Sequence, residues 1–184
     1  MIKPTRAEVA AAGDRTLPDI VAADLAVLFV GINPGLYSAA TGCHFARPGN
    51  RFWPALHLSG FTPRRLAPDE QGQLLDHGLG LTNVVPRASA RVDELSVDEQ
   101  RAGAARLTAL VRRWRPRVVA VAGITAYRTG FSRPHATLGP QDDTIGDAAV
   151  WVLPNPSGLN AHYTLPRLAD EFRRLRECRW LVPG

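Results

Sequence analysis

Leu25-Ala26-Val27-Leu28-Phe29-Val30 runs without a polar side chain into Gly31-Ile32-Asn33-Pro34-Gly35. An apolar run of this length, stopped by Gly and Pro, reads as a buried strand ending in a stiff loop, and this loop presents a side-chain amide. Val150-Trp151-Val152-Leu153, opening into Pro154-Asn155-Pro156-Ser157-Gly158-Leu159-Asn160, repeats the arrangement. Residues 79–85 and 117–122 supply two further strands. Helices fall between them. Ser96-x-x-Glu99 is a capping box for a helix to about Arg115, in which Ala104, Leu107, Leu110 and Val111 keep a 3.6 period before Pro116 stops it. Thr5-x-x-Glu8 opens a short N-terminal helix, and others are predicted near 51–59, 68–76, 124–131 and 164–179. Residues 36–50 and 133–147 read as loops, the second with room for a hairpin.

Short apolar strands alternating with helices specify the α/β class. The expectation is a single-domain, three-layer, doubly wound sandwich over residues 1–184, with a mainly parallel sheet of four to five strands and residues 1–22 as a helical extension. Ligands in such sheets bind beyond the carboxyl ends of the strands, at the switch point. Both amide loops belong there, as do Asn83, the segment 86–93 and Gly123-Ile124-Thr125.

The chain of 184 residues is long enough for a real core, and 45% hydrophobic with 21% charged residues is a globular balance. Net charge is +5, and Lys3 is the only lysine among the 22 Lys and Arg residues. Arginine forks suit phosphates, so a nucleic-acid partner is permitted without being demanded. Two cysteines, Cys43 and Cys178, exclude a disulfide framework and a four-thiolate cluster, and no Cys/His spacing suggests zinc. Met1-Ile2-Lys3-Pro4 lacks an apolar signal region, so a soluble, cytoplasmic protein without membrane partners is expected. Gly-x-Gly-x-x-Gly and Gly-Lys-[Ser/Thr] are absent, which argues against a nucleotide cofactor. No cofactor and no metal are expected.

Asn33 offers an acceptor and a donor but no competent base, so it can orient a water or bind the edge of a ring that carries an amide. A turn asparagine bonded to its own backbone is the plain alternative. Cys43 has no identifiable base, and Ser157 lacks the Gly-x-Ser-x-Gly elbow of a serine hydrolase. Arg51, Arg87 and Arg91 suggest phosphate clamps.

Gly31-Ile32-Asn33-Pro34-Gly35, Gly42-Cys43-His44-Phe45, Pro48-Gly49-Asn50-Arg51-Phe52-Trp53, Leu81-Thr82-Asn83-Val84-Val85 and Asn155-Pro156-Ser157-Gly158-Leu159 follow in this order. From residue 25 to 177 they resemble the mismatch-specific uracil-DNA glycosylases, the bacterial branch of the uracil/thymine-DNA glycosylase superfamily. The resemblance implies a monomeric enzyme of base excision repair. It would flip uracil, best opposite G, out of double-stranded DNA and hydrolyse the N-glycosidic bond, leaving an abasic site without metal or cofactor. It implies that Asn33 positions the attacking water, that the backbone N–H of Ile32 contacts the base and that Phe45 stacks on it. Gly35 and Ser38 would set the room beside the 5-position, and Asn83 would bond the base or a phosphate. Asn155, Ser157, Gly158, Leu159 and Asn160 would form the DNA-binding insertion loop, with Leu159 as its wedge.

The chain departs from the family pattern in two places. Ala161 stands where an arginine would pair with the widowed guanine, and Asn83 where some bacterial members carry lysine. A carboxylate is a better proton acceptor than an amide, so Asp93, leaving the second strand, is a candidate second catalytic group; a solvated or helix-capping Asp93 is the alternative. With only Lys3 available, Schiff-base lyase chemistry is disfavoured and a monofunctional hydrolase expected. Two other readings stay open. One is a glycosylase with a different or broader preference (etheno adducts, xanthine, hypoxanthine or thymine), and the other is a non-catalytic DNA-damage binder.

Overall fold

The computed structural model describes residues 3–181. Residues 1–2 and 182–184, the ends of the expected domain, lie outside that range. In chain order the elements are α1 (Arg6–Ala10), β1 (Val27–Gly31), α2 (Leu36–Thr41), α3 (Phe52–Leu58), a 3-10 helix (Pro68–His77), β2 (Leu79–Asn83), a 3-10 turn (Val92–Glu94), α4 (Val97–Trp114), β3 (Val118–Ala122), α5 (Ile124–Gly130), β4 (Gly139–Ile145), β5 (Ala148–Leu153) and α6 (Leu165–Arg176).

The five strands form one sheet in the order β2-β1-β3-β5-β4. β2, β1, β3 and β5 are mutually parallel, and β4 closes the edge antiparallel to β5. The α/β sandwich read from the alternating pattern is therefore the observed architecture. β1, β2 and β3 are buried along their whole length, because helices cover both faces. Leu28, Val30, Val119, Val121, Val150 and Val152 join Leu107 and Val111 of α4 and Ala126 and Tyr127 of α5 on one side. Val27, Phe29, Leu79, Leu81, Val118, Ala120, Trp151 and Leu153 join Phe52, Trp53 and Leu56 of α3 and Leu168, Phe172 and Leu175 of α6 on the other. Both capping boxes form: the Thr5 and Ser96 side chains accept from the N–H groups of Glu8 and Glu99, and those carboxylates reach back to the cap N–H groups.

Two segments read as loops are ordered. Residues 36–41 make α2, too short to display a period and stopped by Gly42 at φ 72°. Residues 139–145 form β4, half of a hairpin with β5, whose register shifts between Gln141 and Thr144. Its sequence, Gly-Pro-Gln-Asp-Asp-Thr-Ile, is polar because an edge strand is exposed, and an edge position also tolerates Pro140. The helix read over 68–76 is a 3-10 helix. Among the described residues no helix is long and apolar enough to cross a membrane.

Chain order reverses about β1: the chain steps from β1 to its neighbour β2, then crosses back to β3 on the other side. The tips of β1 and β3 thus make a switch point.

Candidate active site

Register brings the strand tips level. Gly31 pairs with Asn83, Val30 with Val121, and Val121 with Val152. Beyond those ends lies a cavity of about 160 Å³ lined by Ile32, Asn33, Gly35, Ser38, Phe45, Asn83, Asn155 and Ser157, among others. Gly123 sits between the tips of β1 and β5. A Cβ there would stand 3.0 Å from Ile32 Cδ1 and 4.0 Å from Asn155 Nδ2, so the tips meet across a residue with no side chain. Every base-pocket residue expected from sequence, together with Asn155 and Ser157 of the insertion loop, therefore shares one cavity.

The Asn33 side chain has a determined orientation. Its Nδ2 donates to Ser89 Oγ at 2.8 Å, to Pro34 O at 3.1 Å and to Arg87 O at 3.4 Å. Ser89 Oγ spends its own proton on Arg91 O at 2.6 Å, so it can only accept from Asn33. The amide nitrogen is committed to the protein, which leaves Oδ1 as the free acceptor. Among the described residues, no backbone carbonyl accepts from the N–H of Ile32 or of Asn33.

Asn83 is fixed through His44. His44 is 2% exposed, and burial lowers its pKa from the ordinary 6.5, against the raising effects of the Pro18 carbonyl and Asp19. Its Nε2 lies 2.9 Å from Pro18 O and can engage a carbonyl only as N–H. The neutral ring then keeps Nδ1 as acceptor, 3.3 Å from Asn83 Nδ2. Asn83 therefore turns its nitrogen to His44, and its Oδ1 lies over Gly31, where a Cβ would be only 2.5 Å away. Thr82 Oγ1 donates to Asp19 at 2.5 Å, and Arg106 donates to Asp19 at 2.5 Å and to Asn83 O at 3.3 Å, tying the strand end down.

Phe45 lines the cavity and stacks on Phe52, centroids 4.2 Å apart and planes 14° from parallel. Its φ of 52° is left-handed, a strain of roughly 1–3 kcal/mol for a non-glycine residue. The neighbouring bonds hold it there: His44 N donates to Gln71 Oε1 at 2.8 Å, Trp53 Nε1 donates to His44 O at 3.2 Å, and Ala46 N donates to Ser38 Oγ at 3.1 Å. Asn50 also lines the cavity and accepts from Phe52 N at 2.9 Å, which starts α3. Cys43 is buried, which raises its thiol pKa and disfavours the thiolate.

The 155–160 loop, expected from sequence to insert into DNA, carries internal bonds. Asn155 Oδ1 accepts from Ser157 N at 2.9 Å, Ser157 Oγ accepts from Leu159 N at 3.3 Å, and Asn160 Nδ2 donates to Asn155 O at 3.0 Å. Leu159, at the tip, is 76% exposed. Gly158 lies against the backbone of Gly49, whose carbonyl oxygen would be 2.7 Å from a Cβ.

Asp93 is not brought to the cavity. The turn at Val92–Glu94 sends Val92 inward and leaves the Asp93 carboxylate 63% exposed, forked on Arg91 at 2.5 and 3.0 Å. Two of the arginines read as phosphate clamps are occupied within the fold. Arg87 is forked on Glu99, and Arg51 holds the carbonyls of Ser157, Asn160 and Tyr163 in the loop between β5 and α6. Arg91 and the unforeseen Arg47 remain exposed at the cavity mouth. Ser89 and Pro18 also carry parts of the site that the sequence did not announce, and His44, which from sequence could contact a phosphate, instead bonds Pro18 and Asn83, since a loop histidine or serine has no pattern that reveals its partner. Among the described residues no group of three or more His, Cys, Asp or Glu could hold a metal ion.

A solution NMR structure of a candidate uracil DNA glycosylase from Methanosarcina acetivorans has the same fold, with a TM-score of 0.57 and 20% identity over 89% of this chain and 98% of the other. Residues 18–177, from the carbonyl that fixes His44 to the end of α6, match one protein family. This chain belongs to the uracil DNA glycosylase superfamily.

Proposed function

We propose that the protein is a monofunctional DNA glycosylase that everts uracil from double-stranded DNA, best opposite G, and hydrolyses its N-glycosidic bond to leave an abasic site, acting as a monomer. Superfamily membership itself implies a hydrolase of DNA N-glycosyl bonds. The orientation of Asn83 carries the finer reading. With its nitrogen turned to His44, the amide offers Oδ1 and one remaining N–H as an acceptor–donor pair. Uracil presents the complement, N3–H and O4. Cytosine presents the reverse, and each unmade buried bond costs about 1–3 kcal/mol.

In the reaction a water oxygen bonds to C1′ while the C1′–N1 pair leaves with the base. Asn33 Oδ1 accepts a hydrogen bond from that water and orients it. As an amide it does not take the proton, which passes to solvent or to the departing base. The transition state is oxocarbenium-like, with negative charge gathering on the uracil oxygens. Asn83 and the N–H groups of Ile32 and Asn33 are the donors available to that charge. Phe45 stacks on the ring for about 1–3 kcal/mol, and Leu159 enters the gap in the helix. A G·U mismatch lowers the cost of eversion, which favours that context without an arginine at position 161.

A wider base range is favoured by one observation. Nothing lies within 4 Å of a Cβ built on Gly35, so the wall there is open, and thymine, hypoxanthine and xanthine share the N–H and C=O edge that Asn83 would read. Release of free base under single-turnover conditions, from duplexes carrying one uracil opposite G or A and from a panel of these lesions, tests the proposal. Tight binding without base release from any duplex would replace it with the non-catalytic reading.

A further inference from the structure

Arg51 departs from its expected role at the surface. It lies directly before α3, and its guanidinium turns back under the insertion loop. Nη1 donates to Tyr163 O, and Nη2 donates to Ser157 O and, at 2.9 Å, to Asn160 O. Its backbone N–H donates to Pro156 O at 2.9 Å. Nε is buried without a partner, and among the described residues no carboxylate pairs with the group. A full positive charge is thus held against carbonyl oxygens, all of them on one loop.

The geometry explains what those bonds achieve. Residues 157–160 form a tight turn closed by Asn160 N on Ser157 O at 3.0 Å, with Gly158 and Leu159 at its crest. Carbonyls 157, 160 and 163 face inward to the guanidinium, and Leu159 faces solvent. The anchor is packed into the core. Asn50 bonds Phe52 N, Phe52 is fully buried, and Phe52 carries Phe45, the stacking wall of the cavity. Residues 50–52 therefore hold the cavity wall on one side and the wedge on the other.

We infer that Arg51 is the positioning residue of the wedge. It pre-forms the 157–163 turn so that Leu159 meets DNA at a fixed distance from the base cavity, and strand entry, more than bond cleavage, depends on it. The inference rests on the reading of 155–160 as a DNA wedge. A loop ordered in advance does not lose conformational entropy on binding, and that entropy would otherwise weaken duplex capture. Lysine cannot substitute, because its single nitrogen replaces a planar fork whose two terminal nitrogens divide the three carbonyls.

Five proteins test it: wild type, Arg51→Met, Arg51→Lys, Leu159→Ala and the double variant Arg51→Met/Leu159→Ala. Each is assayed on a G·U duplex and on the same uracil strand alone. For Arg51→Met, the half-saturating concentration on duplex should rise about tenfold, and activity on the single strand should fall less than threefold. The double variant should be no worse on duplex than Leu159→Ala, since Arg51 acts through that side chain. Hydrogen exchange at amides 157–163 should speed up at least tenfold in Arg51→Met while α3 keeps its protection. Equal losses on both substrates, additive losses in the double variant, full rescue by Arg51→Lys or unchanged exchange at 157–163 would each overturn the assignment. If wild type releases no base, the functional reading fails. Duplex affinity by fluorescence anisotropy and the exchange data then still judge Arg51.

Discussion

Gly31→Ala isolates the Asn83 contact. Gly31 ends β1 beside Asn83, and the new Cβ would stand 2.5 Å from Asn83 Oδ1 and 3.4 Å from Phe45 Cζ. Ordinary contact begins at 3.4 Å, so Oδ1 must move by about 0.9 Å. It cannot do so freely, because Nδ2 is tethered to His44 and Arg106 holds the carbonyl of the same residue. A misplacement of about 1 Å in a positioning group costs up to about 10²-fold in rate, or about 2.7 kcal/mol. The stability effect is smaller. Overpacking costs about 1–3 kcal/mol, and alanine at an unstrained backbone position returns about 0.4–1 kcal/mol. The net, at most about 2–3 kcal/mol, lowers Tm by about 4–12 °C in a domain of this size. Single-turnover uracil release from a G·U duplex, measured well below the melting transition, should therefore fall by about 30- to 100-fold in kcat/KM while the protein remains folded. Retention of activity within threefold would mean that Asn83 does not read the base.

Asn33→Ala should lower the single-turnover rate at least about 10²-fold, whereas Asp93→Ala should stay within about twofold of wild type, because only the first side chain lines the cavity. A comparable loss for Asp93→Ala would restore a carboxylate to the mechanism. Gly158→Ala would set a Cβ 2.7 Å from Gly49 O, and with backbone on both sides the loop must lift; titration of duplex should show a higher half-saturating concentration with little change in the maximal rate. His44 gives a pH signature. Its folded pKa lies below the ordinary 6.5, so the unfolded chain binds more protons just below that value, and stability is present above pH 6.5 and falls as pH drops through it. Urea unfolding from pH 7.5 to pH 5 should show that decline, and His44→Gln should flatten it.

What the sequence disclosed was whatever repeats or runs long. β1, β3 and β5 are continuous apolar segments, because both faces of the sheet are covered there, and the capping boxes at Thr5 and Ser96 mark helix starts by spacing alone. β4 was legible only as room for a hairpin, because an exposed edge strand has no apolar face to alternate, and α2 escaped because six residues display less than two turns. The cavity was legible through its backbone punctuation, in Gly31, Pro34, Gly123 and the Pro154–Gly158 run. Direction was not legible. Whether Asp93 or Val92 turns inward depends on a single 3-10 turn, and Arg51 faces a loop more than a hundred positions away. An arginine is equally at home on a phosphate and on a cluster of carbonyls, and only the fold chooses between them.

The geometry also bears on how the work of such an enzyme would be divided. Everting a base costs a few kcal/mol, and no single contact here supplies that alone. On the proposed reading the Phe45 stack and the two amides would each contribute on the order of 1–3 kcal/mol, so the balance would close only if none of them had first to be ordered. Each has contacts within the protein alone: Asn33 with Ser89, Asn83 with His44, Phe45 with Phe52, and the 157–160 turn beneath Leu159 with Arg51. The left-handed φ of Phe45 is likewise a local cost met during folding, which a base stacking on it would not have to meet again. What the arrangement lacks is a carboxylate at the water. Asn33 can orient a nucleophile but cannot take its proton, so the chemistry must lean on stabilising the departing base. On the proposed reading the greater share of catalysis would fall to the donors around Asn83 and the β1 tip, and the neutral His44 ring, whose Nδ1 accepts from Asn83, would hold the Asn83 amide in the orientation that reading needs.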